Sequence, residues 1–362
     1  MKKLGLYIHI PFCSEKCPYC DFYSLKYSDK LIDEYVTNLN KKILSYSDYC
    51  ADTIYLGGGT PSILGTERII SILKSIKTSF GNCSKETTIE LNPESAKFLD
   101  FEKLRYYGID RVSIGLQSSN QTELTLLGRK HSAQDVADLA NTIQKSGISN
   151  ISFDLMIGIS QQTIGSLEKS IEFCKNIGAK HISAYILKIE KGTAYYKNKD
   201  NLKFPDDDTV CDLYEFMAQK LSSLGYRQYE ISNFAMPGCE SLHNLKYWNC
   251  EEYIGIGSSA HSFVDGKRFY YGRSLKQFYS NEIINDGSGG DEEEYIAMTL
   301  RLSSGLRFEN FLKRFGCPLP EHYIKNAKKL LSTNLLFLDK DGIRLSEKGF
   351  LCSNAVIVEI IS

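Results

Sequence analysis

Three cysteines near the start of the chain have the spacing of metal or cluster ligands. Cys13, Cys17 and Cys20 form a C-x3-C-x2-C pattern directly after a short apolar run that predicts a strand. A closed zinc site has four ligands, and no fourth Cys or His follows at a suitable distance. A four-iron cluster normally takes four cysteines, so three on one loop would leave one iron open to another ligand. A three-cysteine zinc site and ordinary buried thiols are the alternatives.

Further polar candidates lie in or directly after predicted strands. They are, in chain order, Gly58, Gly59, Thr60, Glu90, Gln117, Arg129 and Asp154. Glycines let a ligand approach the backbone closely, although a tight turn with positive φ would also require them. Charged groups among apolar strands are costly unless they are paired, so an ion pair of Arg129 with Glu90 or Asp154 is the structural alternative to ligand binding.

Six strand–helix pairs between residues 4 and 225 position these candidates. The predicted strands are Leu4–Ile10, Thr53–Leu56, Thr87–Leu91, Arg111–Gly115, Ile151–Ile157 and His181–Leu187. Amphipathic stretches between them predict helices, for example Lys30–Tyr46, Glu67–Phe80, Ala133–Lys145 and Ile164–Ile177. This alternation predicts an α/β fold with a parallel sheet, a partial (β/α)6 barrel of the TIM type. Loops at the carboxyl ends of such strands build one shared site.

A second group of candidates lies after the barrel pattern ends. Residues 226–280 hold the single Trp, two of the six His and many aromatic residues. In the run His243-Asn244-Leu-Lys-Tyr247-Trp248, a helix would place His243 and Tyr247 on one face, where an imidazole and a phenol could meet one planar ligand. Imidazole is a common axial ligand of haem. A packed core patch would have the same composition.

The sequence predicts four segments. Residues 1–225 form the barrel, 226–280 pack on it, 281–291 are an acidic, glycine-rich linker, and 292–362 form a small C-terminal module. Three short helices followed by a hairpin around Asp339–Gly342 predict a winged-helix-like α+β arrangement. Because the module has no basic stripe, we expect it to cover the site or to dock a partner rather than to bind nucleic acid.

The composition argues against a nucleic-acid-binding, a secreted or a membrane-spanning protein. The chain has 362 residues, 24% charged residues and a net charge of -1, so no basic surplus indicates a nucleic-acid partner. Eleven cysteines without framework spacing favour a reducing compartment over a secreted disulfide scaffold. The short N-terminal apolar run contains His9 and lacks a cleavage site, unlike a signal peptide. No run of about 18 apolar residues predicts a transmembrane segment, so we expect a cytoplasmic protein.

The cysteine stretch resembles the signature of the radical S-adenosylmethionine (radical SAM) superfamily. The resemblance implies a 4Fe-4S cluster on the three cysteines, with S-adenosylmethionine on its open iron and Tyr19 beside the adenine. Gly58, Gly59 and Thr60 match the stretch that contacts the methionyl amino group. The remaining residues match cofactor contacts in the oxygen-independent coproporphyrinogen III oxidase family, a branch of the superfamily; they are Tyr7, Glu90, Gln117, Arg129 and Asp154.

Three later motifs, Y-E-I-S-N-F-A, H-N-x-x-Y-W and G-x-G-x-x-A-H-S, resemble those of the HemW family of haem chaperones. This resemblance implies haem binding by His243, Asn244, Tyr247 and Trp248, and transfer of haem to an acceptor protein, for which a membrane-associated respiratory protein is one candidate. The alternative is the oxidase itself, which decarboxylates porphyrinogen propionates. The oxidase pattern has a further cysteine two positions after the third, where this chain has Phe22.

Overall fold

The strands form one large sheet and two small ones. The computed structural model describes residues 1–362 except the side chain of Asp200. The strands are β1 Lys2–Ile10, β2 Phe12–Cys13, β3 Leu25–Lys26, β4 Tyr49–Gly58, β5 Glu86–Leu91, β6 Arg111–Gln117, β7 Asn150–Ile157, β8 His181–Ile186, β9 Arg227–Gln228, β10 Asn233–Ala235, β11 Tyr253–Ile256, β12 His261–Val264, β13 Lys267–Tyr271, β14 Ile283–Ser288, β15 Leu306–Arg307, β16 Leu336–Leu338 and β17 Gly342–Leu345.

The large sheet has the strand order β14-β13-β12-β11-β1-β4-β5-β6-β7-β8-β10-β9. From β11 to β8 the neighbouring strands run parallel, and antiparallel strands extend both edges. The parallel strands are covered on both faces, which is why they read as apolar runs; every residue of β6 is buried. The six strands predicted from the sequence are therefore present, and β11 adds a seventh beside β1.

The part of the chain that the structure describes has sixteen α-helices, and those between the parallel strands cover the outer face of the sheet. They are α1 Asp29–Leu44, α2 Thr66–Phe80, α3 Pro93–Ala96, α4 Phe101–Tyr106, α5 Gln121–Leu126, α6 Ala133–Lys145, α7 Ile164–Asn176, α8 Ala194–Lys197, α9 Asp207–Ser223, α10 Leu242–Trp248, α11 Leu275–Tyr279, α12 Glu292–Thr299, α13 Phe308–Phe315, α14 Glu321–Lys329, α15 Glu347–Leu351 and α16 Ser353–Ile361. The predicted long helices end within two residues of these bounds. Capping boxes at Ser132 and Thr163 fix the starts of α6 and α7.

The C-terminal part contains the three predicted helices, α12 to α14, and the β16–β17 hairpin. The sequence did not predict β15, which pairs with β17, or the last two helices, α15 and α16. The expected linker also differs, because residues 283–288 form β14 and pair with β13. Backbone hydrogen bonds join this part to the barrel segment: Ile231 N donates to Arg301 O, and Ser303 N donates to Tyr229 O, each at 3.0 Å.

Two further findings bear on the sequence expectations. Cys50 and Cys83 are paired as a disulfide, with Cα atoms 6.7 Å apart, and the other nine cysteines are free. One pair is not the framework of a disulfide scaffold. Among the described residues, no helix has both the length and the apolar character needed to cross a membrane.

Candidate functional site

The three cysteines lie on a loop whose two ends are paired. Phe12 and Cys13, in β2, pair with Leu25 and Lys26, in β3, so the loop starts and ends at a fixed place beyond β1. Inside the loop, Cys20 N donates to Cys17 O at 3.1 Å. All three thiols are free and half-buried. Among the described side chains, no three His, Cys, Asp or Glu groups converge as ligands of one metal ion, unlike a closed structural zinc site.

These thiols line a cavity of about 570 Å³ at the carboxyl ends of the parallel strands. Eleven residues singled out from the sequence share its wall; they are Cys13, Cys17, Tyr19, Cys20, Gly58, Gly59, Thr60, Glu90, Gln117, Arg129 and Asp154. They come from β2, from β4 to β7, and from the loops that follow β2, β4 and α5. The structure thus brings residues up to 141 positions apart in the sequence around one volume, of a size usual for small-molecule and cofactor sites.

The glycine turn after β4 is packed against the strand that carries the cysteines. A Cβ on Gly59 would lie 2.6 Å from the carbonyl oxygen of Phe12, and Gly59 N donates to Ile10 O at 2.8 Å. Gly58 has φ +113, and a Cβ there would lie 2.6 Å from the ring of His9. Only glycine fits both positions, so the turn and the cysteine loop have a fixed spacing.

Two donors lie beside the cysteine sulfurs. Thr60 Oγ1 is 3.4 Å from Cys13 Sγ, and Arg129 Nη1 donates to Cys17 Sγ at 3.6 Å. Arg129 Nη2 donates to Gly115 O at 3.0 Å, while its buried Nε has no hydrogen-bond partner among the described groups. Arg129 forms no ion pair with a carboxylate of the described side chains, so the structural ion-pair network is not what holds it.

Two half-buried carboxyl groups, those of Glu90 and Asp154, line the cavity and have raised pKa values. Burial raises the pKa of Glu90 to about 7, with a further contribution from Asp154, although hydrogen bonds from Tyr55 and Gly58 oppose the rise. Burial likewise raises the pKa of Asp154 to about 6, against a hydrogen bond from Ser113. Carboxylates kept out of water in this way bind a cationic ligand more strongly than exposed ones do.

Gln117 ends β6 in a strained conformation. Its φ is +68, which is uncommon for a residue other than glycine, and the register between β6 and β7 shifts just before it. Such backbone outliers concentrate at functional sites, where the surrounding structure holds them. The shift turns the Gln117 side chain into the cavity wall.

The structure does not bring Tyr7 into the cavity wall. Tyr7 lies on β1, and its hydroxyl is 3.0 Å from His9 Nδ1. Burial raises the pKa of Tyr7 well above its usual value, and burial lowers that of His9 to about 4. The pair therefore lies uncharged at neutral pH beneath the cysteine loop, where it packs the last residues of β1.

The second group of candidates lies at the other end of the barrel. Leu242 N and His243 N, at the start of α10, donate to the carboxylate of Glu86, the first residue of β5, at 3.0 and 3.1 Å. Because Glu86 lies at the amino end of its strand, α10 covers the end of the barrel opposite the cysteines. Asn244, Tyr247 and Trp248 are half-buried there.

His243 is fully buried, and both of its ring nitrogens have partners. Nδ1 lies 2.9 Å from Thr53 Oγ1, and Nε2 lies 2.8 Å from the hydroxyl of Tyr247. Burial lowers the pKa of His243 to about 3, so the ring is neutral. The expected one-turn spacing of His243 and Tyr247 is present, and in this conformation the two side chains bond to each other.

Sequence reasoning missed two residues of the barrel interior. Tyr55 donates to Glu90 Oε1 at 2.8 Å, and Arg111 is a buried cation whose charge lowers the pKa values of Glu90 and Asp154. Tyr55 lies within an apolar strand, and the sequence pattern there predicts a buried core residue. The usable signal was the two-residue period of β4, which puts Tyr55 on the same face as Gly57.

Comparisons with known proteins agree with this architecture. The family model of the radical SAM superfamily matches residues 7–174, and that of the HemN C-terminal domain matches residues 292–352. Coproporphyrinogen III oxidase (HemN) from Escherichia coli has the same fold, with a TM-score of 0.84 over 100% of this chain and 90% of that one, at 20% identity. The predicted partial barrel with a small C-terminal module is thereby confirmed.

Two curated relatives named heme chaperone HemW match along almost their whole length. The protein of Haemophilus influenzae is 37% identical over 98% of this chain and 97% of the relative. That of Lactococcus lactis is 31% identical over 99% of this chain and 98% of the relative. The chain therefore belongs to the HemW family of the radical SAM superfamily.

Proposed function

We propose that the cavity holds a 4Fe-4S cluster on Cys13, Cys17 and Cys20, with S-adenosylmethionine beside it. The observation that carries this proposal is that three free thiols share one cavity with the glycine turn and with half-buried charged groups, at the carboxyl ends of the parallel strands. Three cysteines leave one iron of such a cluster open. When bound, the cluster offers that iron to the ligand and can supply an electron.

The cavity wall can hold each end of S-adenosylmethionine. Gly58, Gly59 and Thr60 present backbone to the methionyl amino group, and Arg129 supplies a guanidinium for the carboxylate. Glu90, Gln117 and Asp154 accept hydrogen bonds from the amino and ribose groups, and the negative charge of the two acids suits a cationic cofactor. Tyr19, on the cysteine loop, packs beside the adenine. Tyr7 acts through His9, by packing the strand that carries the loop.

We further propose that the chain is a haem chaperone that delivers haem to an acceptor protein. Membership of the HemW family supports this, since its relatives carry that name. His243, Asn244, Tyr247 and Trp248 of α10 are the proposed haem-contacting residues. An iron–imidazole bond requires His243 to give up one of its two hydrogen bonds. Breaking the hydrogen bond to the Tyr247 hydroxyl would free Nε2 for the iron. Nine free cysteines support a reducing compartment, the cytoplasm.

Anaerobic reconstitution with iron and sulfide, followed by haem titration in the Soret band, tests this function. We expect close to four iron atoms and one saturable haem per chain. His243→Ala should weaken haem binding at least about tenfold, the loss of one good ligand contact. His322→Ala, which changes an exposed histidine of the C-terminal part, should leave haem affinity unchanged.

The alternative function is the oxidase reaction, which the HemN-like fold would also accommodate. Phe22 stands where the oxidase pattern has a further cysteine, and its side chain is 67% exposed at the cavity rim. The reconstituted chain should therefore leave coproporphyrinogen III unchanged in the presence of S-adenosylmethionine. Decarboxylation of the porphyrinogen with no saturable haem binding would refute the chaperone function.

A further inference from the structure

Tyr55 holds the carboxylate that in turn holds the glycine turn. The Tyr55 hydroxyl donates to Glu90 Oε1 at 2.8 Å, and the other carboxylate oxygen accepts from Gly58 N at 3.1 Å. Glu90 and Gly58 both line the cavity. The Tyr55 hydroxyl therefore fixes the position of the Glu90 carboxylate. That carboxylate in turn orients the backbone N–H of Gly58, the first residue of the turn.

The other side of the Tyr55 ring packs on α10. Its ring is stacked on the imidazole of His243, with centroids 5.3 Å apart and planes inclined by 27°. His243 is itself fixed, since Thr53 and Tyr247 bond to its two nitrogens. Thr53 and Tyr55 are two residues apart on β4 and therefore point to the same side of the sheet. A movement of His243 must displace the Tyr55 ring.

A second connection runs along β5. Its first residue, Glu86, accepts the backbone N–H groups of Leu242 and His243, while Glu90, near its other end, accepts from Tyr55 and Gly58. The helix and the glycine turn are thus bonded to the two ends of one buried strand. Four direct contacts therefore connect Tyr247 with Gly58, through His243, Tyr55 and Glu90.

We propose that Tyr55 is a positioning residue that couples α10 to the cofactor cavity, so that a ligand contacting α10 and S-adenosylmethionine change each other's affinity. The inference rests on the proposed function, because it takes S-adenosylmethionine as the cavity ligand and a metal porphyrin as the ligand of α10. Coupling between two sites is reciprocal, so either ligand can report it.

The test is equilibrium binding of S-adenosylmethionine to the reconstituted full chain. Tyr55→Phe keeps the stack on His243 but removes the hydrogen bond to Glu90, and should weaken binding about tenfold, as expected for a bond to a charged group. Tyr247→Phe, which removes the hydroxyl group that bonds to His243 Nε2, should weaken it about threefold, the effect of a lost neutral hydrogen bond. The double variant should lose less affinity than the product of the two single losses, because both substitutions act on the same connection through Tyr55.

Tyr226→Phe is the matched control. Tyr226 is a buried tyrosine whose hydroxyl donates to Ala179 O at 2.8 Å, away from the cavity and from α10. Tyr226→Phe removes one hydrogen bond of a buried tyrosine, as Tyr55→Phe does, and should leave the affinity for S-adenosylmethionine unchanged. Iron content and thermal midpoint of each variant show that the chains compared are folded and loaded.

A second test measures S-adenosylmethionine affinity in the presence of haem. Saturating haem should change the S-adenosylmethionine affinity of the wild-type chain, and this change should be smaller in Tyr55→Phe, in which only the connection along β5 remains. Two results would overturn the coupling and leave the proposed function intact. One is that Tyr247→Phe binds S-adenosylmethionine as tightly as the wild-type chain. The other is that the loss of affinity in the double variant equals the product of the losses in Tyr55→Phe and Tyr247→Phe. Failure of the wild-type chain to bind S-adenosylmethionine at all would overturn the proposed function, and the coupling with it.

Discussion

Glu90 should make the protein less stable at neutral pH, and replacing it with glutamine should show this. Its pKa rises from 4.5 to about 7 on folding, chiefly because the carboxyl group is buried. At about 1.4 kcal/mol per pKa unit, ionised Glu90 costs the folded chain about 3 kcal/mol. Glu90→Gln keeps the size of the side chain and removes the charge, so this cost is absent from the variant.

The sign of the pH dependence follows from the direction of the pKa change. Between pH 4.5 and about 7, the folded chain holds the Glu90 proton while the unfolded chain has lost it, so wild-type stability falls as the pH rises through that range. The free energy of unfolding of Glu90→Gln, relative to wild type, should therefore be about 3 kcal/mol higher at pH 8 than at pH 5. Any constant loss from the altered hydrogen bonds to Tyr55 and Gly58 cancels in this difference.

Urea unfolding of the cluster-free chain at several pH values measures this. Trp248, the single tryptophan, provides a fluorescence signal from α10. Glu86→Gln is the matched control, since Glu86 is a buried glutamate on the same strand that accepts two backbone N–H groups. That variant should be destabilised at pH 8. A Glu90→Gln variant whose stability difference from wild type is the same at pH 5 and pH 8 would refute the reasoning.

Three other substitutions test the architecture of the site. Gly59→Ala puts a Cβ 2.6 Å from the carbonyl oxygen of Phe12 and should lower the free energy of unfolding by about 1–3 kcal/mol, measured by urea unfolding. Cys13→Ala should abolish stoichiometric iron incorporation after reconstitution, measured as iron per chain, whereas the exposed Cys352→Ala should not. Lys246→Met leaves the partly buried carboxylate of Asp52 without its cation and should cost about 3 kcal/mol in the same unfolding assay.

Controls for these substitutions come from the same chain. A Cβ on Gly165, the second residue of α7, would meet only Thr163 Oγ1, at 3.9 Å, so Gly165→Ala should not destabilise the chain. Lys220 pairs with Glu168 and Glu172 on the surface, and Lys220→Met should lower the free energy of unfolding less than Lys246→Met does. If a substitution and its control lowered the free energy of unfolding by the same amount, the packing and burial arguments would be wrong.

The barrel could be predicted because its elements are local. Parallel strands buried on both faces, such as β6, read as apolar runs, and helices such as α2 show one apolar face. The shared position of Gly58, Glu90 and Gln117 could also be predicted, since they lie at or near the carboxyl ends of strands and such ends meet at one edge of the sheet. Gly58 and Glu90 reach the same cavity for this reason.

Long-range placement could not be predicted. Nothing local indicates that the four residues of β11 pair with β1, or that α10 covers the amino end of the barrel. The sequence therefore gave no distance between His243 and the cysteines. The strand β14 was also missed, because Asn285-Asp-Gly287 has the composition of a loop, and its pairing depends on the neighbouring β13.

The backbone bridge between the barrel segment and the C-terminal part has a consequence for how the chain can be divided. The HemN C-terminal family model begins at residue 292, yet Tyr229, Ile231 and Glu230 pair with residues 301–303 beyond that point. Glu230 is fully buried beneath this pairing. A cut at the sequence boundary would expose an acidic group and an open strand edge to solvent. The barrel segment and the C-terminal part therefore form one structural unit across the boundary of the family model.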